Sequence, residues 1–258
     1  MSGFLRFNLK YSLGLIFAAL FLNLQGQVPE AVDVISNKIF NQDFEGVPEK
    51  IKVLQRTSPQ MAKYIKVDYL WWKMISDNTQ ASEAALLFEL DSLTLEKGDK
   101  MDYDQLIYFT YQIRYDNFKK KNLSKYLNLL KLHFFLEKID SDEIRNSDPF
   151  VLSLFTLMTD FDLFMRYKFF SNHGFQTEKN HTKCMSCLDK IEMQNEFENK
   201  TFKNCKTYLL GKIYLDIEND YSKANFKFEK LSEMFPGNMI FKKTAEYCRA
   251  KLYSRSAR

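Results

Sequence analysis

Two distant stretches of this chain repeat one apolar spacing, and each closes on a proline. In "FEGVPEKIKVLQRTSPQ", Phe44, Val47, Ile51, Leu54 and Pro59 are separated by 3, 4, 3 and 5 positions. In "YSKANFKFEKLSEMFPGN", Tyr221, Ala224, Phe228, Leu231 and Pro236 are separated by the same 3, 4, 3 and 5. The echo continues beyond both prolines, where Tyr64 and Phe241 each fall 5 residues on. Spacings of 3 and 4 place side chains on one face of a helix, whereas a half-buried strand alternates in twos. A helix that stops at a proline and is followed by another apolar stripe predicts a hairpin. One hairpin cannot shelter its own apolar face, so such hairpins must stack.

The rest of the chain agrees with helices. Only 8 glycines and 5 prolines occur in 258 residues, too few for the many tight turns of a sandwich or barrel. Pro29, Pro48, Pro59, Pro149 and Pro236 all sit where helices start or chains turn, Pro149 behind a capping Asp148. Tyr64, Val67, Trp71 and Met74 form one stripe, and Leu86, Leu90 and Leu93 form the next, closed by Gly98. Leu123, Leu127, Leu130 and Phe134 form another. "VLSLFTL" has strand-like composition, but helical spacing through Asp162 and Arg166, an i,i+4 pair, assigns it to a helix. Later helices are expected near 182–195, 200–217, 221–234 and 238–251. The expected fold is all-α, with about eleven helices.

Residues 1–26 are set apart. Arg6 and Lys10 precede the apolar run "YSLGLIFAALFL", and the small Gly26 follows, the order of a secretory signal peptide. The run is shorter than the roughly 20 residues of a spanning helix. Export followed by cleavage is expected, leaving a domain over 27–258; no cysteine follows the run to carry a lipid anchor. Removing Arg6 and Lys10 leaves 35 basic against 33 acidic residues, a net of +2, which offers no long-range field for collecting nucleic acid or an acidic membrane.

Catalytic signatures are absent: there is no G-x-S-x-G, H-E-x-x-H or phosphate-loop pattern. His133 lies at the edge of an apolar stripe and reads as a packed or surface residue. His181, Cys184 and Cys187 in "HTKCMSC", with Cys205 further on, have the residue types of a zinc site or redox pair. No second ligand pair at metal spacing accompanies them, and no cofactor is expected. In an oxidising compartment the thiols face another choice. Cys187 and Cys205 stand about equally far from a turn near Glu196, which makes them the pair to expect if a disulfide forms. Free thiols packed as small apolar residues are the competing reading. Trp71 and Trp72 are adjacent and so point about 100° apart on a helix. Trp71 reads as core. Trp72 reads either as inter-repeat packing or as a stacking platform for a sugar or partner side chain. The sequons at Asn122, Asn180 and Asn199 are at the frequency chance gives.

Leu210, Gly211 and Tyr214, upstream of Ala224, Phe228, Leu231 and Pro236, carry a resemblance. This unit resembles the tetratricopeptide repeat, a helix–turn–helix of about 34 residues. Gly211 and Tyr214 keep the family offset. The gap from Tyr214 to Ala224 is one residue longer than the consensus, which predicts an enlarged turn at "IENDY". Leu231 replaces the family's small residue, and Thr207 its Trp-like first position. The unit over 30–75 matches less closely, and the stretch from 80 to 190 is assigned by periodicity alone. The resemblance implies a superhelical stack of hairpins, similar to exported repeat proteins of Gram-negative bacteria in the periplasm or at the outer-membrane periphery. It implies a scaffold without enzymatic activity that holds a protein or peptide on a concave face lined by helices near 61–76, 102–119 and 200–217. A glycan-binding protein of an outer-membrane uptake system is the alternative, and a secreted metal- or thiol-dependent enzyme is a third.

Overall fold

The computed structural model describes residues 30–95, 103–138, 149–172, 177–193 and 200–256. The expected signal peptide, Pro29, Gly98, Asp148, His173 and Asn199 lie outside the described residues. Every regular element among them is helical: α1 (30–40), α2 (Val47–Thr57), α3 (Pro59–Asp77), α4 (Gln80–Leu95), α5 (Tyr103–Phe118), α6 (Asn122–Lys138), α7 (Pro149–Asn172), α8 (Thr177–Met193), α9 (Lys200–Ile213), a π-helical turn (Tyr214–Glu218), α10 (Tyr221–Met234) and α11 (Met239–Ser256). "VLSLFTL" is part of α7, which buries Leu154, Leu157, Met158, Phe161 and Phe164 at helical intervals. The Asp162 and Arg166 side chains pair at 3.2 Å, as their spacing requires.

The repeated spacing is a repeated packing face. Helix α2 buries Val47, Ile51 and Leu54, and α10 buries Ala224, Phe228 and Leu231, the same three pattern positions. Each lies against the helix that follows its proline, α3 and α11, where Tyr64 and Phe241 are buried in turn. Gly211 shows why that pattern needs a small residue. A Cβ there would stand 3.0 Å from the Phe228 ring, so α9 and α10 approach only because the side chain is missing. Between Tyr214 and Ala224 the chain forms a π turn over Tyr214–Glu218, which ends at Asn219 in the left-handed region (φ 53°). Asp220 then caps α10, its carboxylate accepting from the Lys223 N–H at 3.0 Å.

Consecutive helices pack in order from α2 to α11. The ends add something a neighbour-only stack lacks. Phe40 of α1 lies 5.0 Å from Phe235, 5.3 Å from Trp72 and 6.1 Å from Phe241, ring centre to ring centre. Asn238 is buried at the same junction. Its Oδ1 caps α11 by accepting from Ile240 and Phe241 at 3.0 and 3.3 Å, while its Nδ2 donates to the Phe40 carbonyl at 2.8 Å. The Thr201 hydroxyl and N–H both donate to Asp33 Oδ1, at 2.8 and 3.2 Å. The first and last described units therefore touch.

One predicted stripe is turned the other way. Leu123, Leu127, Leu130 and Phe134 are exposed, and α6 buries Asn128, Leu129 and Leu132 instead. The reason is polar. Buried Asp116 of α5 accepts from Ser124 and Asn128 of α6, each at 2.7 Å, and from Gln112 at 3.1 Å. Turning the leucines inward would strand that carboxylate, and an unsatisfied buried charge costs more than exposed leucines.

The terminal junction yields a prediction. A Cβ on Gly237 would stand 2.6 Å from the Asn41 carbonyl oxygen, so backbone must move to admit it. Gly237→Ala is expected to lower unfolding stability by about 1–3 kcal/mol in urea titration. Lys230→Ala, on an exposed face, is expected to stay within about 0.5 kcal/mol of the parent.

Candidate functional site

Helices α3, α5 and α9 converge on an inner cavity of about 230 Å³. Tyr64, Asp68 and Trp71 reach it from α3 at i, i+4 and i+7, and Thr110, Ile113, Arg114 and Asn117 from α5. Cys205, Tyr208 and Lys212 reach it from α9, and Asp216 and Ile217 from the π turn. Leu129 of α6 and Leu154, Leu157, Met158 and Phe161 of α7 complete an apolar wall.

One polar cluster is set into this apolar surface. Tyr111 donates to Asp68 Oδ1 at 2.7 Å, and the Arg114 guanidinium stands 3.7 Å from the same oxygen. Arg114 also lies over the rings of Trp71, Tyr111 and Tyr208, at 4.6, 4.7 and 5.2 Å from their centroids. A guanidinium is weakly hydrated and planar, so aromatic faces suit it where bulk water is excluded. Asp68 Oδ2 is buried and meets no hydrogen-bond donor among the described residues. The Tyr64 hydroxyl and the Cys205 thiol share a 3.3 Å hydrogen bond beside the pair. At the rim, Lys212 pairs with Asp216 at 2.7 Å.

These environments move the titrations. Burial pushes the Asp68 carboxyl above its ordinary range against the pull of Arg114 and Tyr111. Burial opposes the Arg114 charge, but Tyr111, Tyr208, Asp68 and Tyr64 outweigh it and hold the guanidinium more firmly protonated. Tyr64 and Tyr111 are raised well above a free phenol, first by burial. Burial also drives Cys205 to about 12, with the Asp68 charge adding to it.

For the candidate residues the structure shows the packed alternatives and not the stacking platform or the disulfide. Trp72 is fully buried among Phe40, Tyr208 and Phe241, with ring centres 5.2–5.3 Å away, so it offers no ring face to a sugar or partner. Trp71 is core, as expected, and also lines the cavity. Both are inward because α3 is enclosed on two sides, by α5 and by α1 with α11. Cys187 and Cys205 are free thiols. Equal distance from a turn does not fix azimuth: α8 lies along α7, and Cys187 is buried on that side near Asp160 and Arg166, whereas Cys205 faces Tyr64 of α3. In "HTKCMSC", His181 is exposed while Cys184 and Cys187 are buried, and no group of three or more potential metal ligands converges among the described residues. Burial drives the Cys184 thiol to about 11 and raises Cys187. An activated thiol needs the opposite shift. His133 sits between α6 and α7, its Nδ1 3.4 Å from Asp162 and its Nε2 3.3 Å from Glu137.

Sequence reasoning missed Arg114. "YQIRYD" offers a cation between two tyrosines, but apart from Tyr111 its partners, Asp68, Trp71 and Tyr208, come from α3 and α9, distant in the chain. Comparisons with protein-family models, with curated proteins and with solved structures give no match for this chain.

Two measurements follow from the geometry. Alkylation at about pH 8 is expected to leave all four cysteines unmodified in the folded chain and to modify all four after unfolding, read by mass spectrometry. Folding favours the protonated Asp68 carboxyl, because its folded pKa lies above its unfolded one. That contribution is complete below about pH 4 and is lost as pH rises through the folded value. Asp68→Asn is expected to flatten this decline in urea titrations across that window.

Proposed function

We propose that this chain is an exported, tetratricopeptide-like binding scaffold that holds a peptide segment of a partner protein in the bacterial envelope. The observation that carries the reading is the convergence of α3, α5 and α9 on one cavity. These are the three helices that the repeat resemblance assigns to a concave binding face. A largely apolar cavity with a few converging polar groups is the usual form of a binding site.

The lining suggests what such a segment carries. Arg114, Lys125 and Lys212 oppose Asp68 and Asp216, three cations against two carboxylates, around aliphatic and aromatic walls. An apolar side chain next to an acidic one suits that pattern. Binding without catalysis is the reading the thiols favour, since burial raises them rather than activating them. Among the described residues no helix is long and apolar enough to cross a membrane. Periplasm or outer-membrane periphery is the compartment proposed, on the leader-like N-terminus.

Peptide display tests the reading. Selection on the chain is expected to enrich peptides that pair an apolar with an acidic residue. Those peptides are expected to bind Met165→Trp, which fills the cavity, at least tenfold more weakly in fluorescence anisotropy. Lys212→Gln, which removes the rim cation without setting a second carboxylate against Asp216, is expected to weaken acidic peptides more than neutral apolar ones. Recovery of the same peptides with equal affinity on Met165→Trp would reject the cavity as the site.

A further inference from the structure

Helix α6 has apolar residues on two opposite sides. Its inner side is fixed by Asn128, Leu129 and Leu132. On its outer side Leu123, Leu127, Leu130 and Phe134 are 76, 51, 50 and 52 % exposed, and neighbouring Tyr126 is 51 % exposed. Separations of 4, 3 and 4 put the first four in one row along the helix. Elsewhere among the described residues the exposed large apolar side chains, such as Val53, Phe88 and Phe226, are scattered. Scattered ones are ordinary on a protein surface, whereas a contiguous row marks an interaction face.

The charge beside the row has one sign. From 119 to 138 the chain carries Lys119, Lys120, Lys121, Lys125, Lys131 and Lys138 against the single acid Glu137. Lys119 is engaged by Glu83 of α4 at 2.6 Å, and Lys125 donates to Asn117 at 3.3 Å. Lys120, Lys121, Lys131 and Lys138 are exposed. The remaining acids near α6, Asp116 and Asp162, are buried on its inner side and occupied there.

We propose that the outer face of α6 docks on an anionic lipid surface. Leu123, Leu127, Leu130 and Phe134 enter the boundary between headgroups and acyl chains, and the lysines meet lipid phosphates. A helix that presents an apolar row flanked by lysines lies in the plane of such a surface rather than across it. A second copy of the chain fits less well: a two-fold contact sets the same patch against itself, lysines against lysines. The cavity reading does not enter this inference, because these side chains point away from it.

Vesicle sedimentation with the full chain tests it. The apolar run near the N-terminus is common to every variant, so comparisons between variants isolate α6. Phosphatidylglycerol-containing vesicles are expected to bind the chain at least tenfold more tightly than phosphatidylcholine vesicles, with the difference collapsing in high salt. Lys120→Gln, Lys121→Gln and Lys131→Gln are each expected to weaken binding about fivefold. Leu127→Glu combined with Leu130→Glu is expected to abolish the preference with the melting temperature unchanged, since both sites are exposed. A Leu127→Trp reporter is expected to be quenched by bromine-labelled acyl chains. Equal binding of the parent and the double glutamate variant would overturn the proposal. So would an unquenched reporter, or loss in the double variant of a concentration-dependent dimer or of an acidic protein partner with vesicle binding unaffected.

Discussion

The burial of Phe40 against the C-terminal hairpin is the contact on which the rest of the arrangement turns. An open stack of hairpins leaves the inner faces of its first and last members bare. Here the Phe40, Trp72, Phe235 and Phe241 rings cover both at once, with centroids 5.0–6.2 Å apart along the cluster. Aromatic rings at these distances combine a large apolar area with favourable tilted and edge-on geometries. Asn238 makes the junction directional: it is at once the cap of α11 and the donor to the Phe40 carbonyl. With α1 held there, α3 is enclosed from both sides, and its Tyr64–Asp68–Trp71 face turns toward α5 and α9. The cavity follows from the closure.

Buried polar groups then choose among packings that apolar surface alone would tolerate. Asp116 determines which side of α6 faces α5, at the expense of four exposed apolar residues. Asp68 ties α5 to α3 through Tyr111 and Arg114. Glu192 of α8 accepts from Tyr214 at 2.9 Å and pairs with Lys227 of α10 at 3.0 Å, joining α8, the π turn and α10. Such groups are costly unless matched, so each admits few orientations of its neighbours. That selectivity separates this chain from a generic pile of amphipathic helices.

The π turn links local sequence to the cavity. The turn widens the helix at its C-terminal end. Asp216 and Ile217 then line the cavity, and Glu218 pairs with Lys168 of α7 at 2.9 Å. A regular α-helix through these positions would place different side chains at that wall, so the π turn shapes the candidate site.

The sequence by itself determined the helices, their order and several of their faces. The spacing around Val47, Ile51 and Leu54 and around Ala224, Phe228 and Leu231 is set by helical geometry, which is local, and the structure buries those residues. Tertiary structure alone decided which apolar face went inward on α6, which tryptophan met the cavity, and where Cys187 and Cys205 pointed. Those outcomes depend on azimuth and on partners such as Asp116, Asp68 and Phe40, supplied by other helices. A spacing pattern records that a face is apolar; only the assembled neighbours determine what, if anything, covers it.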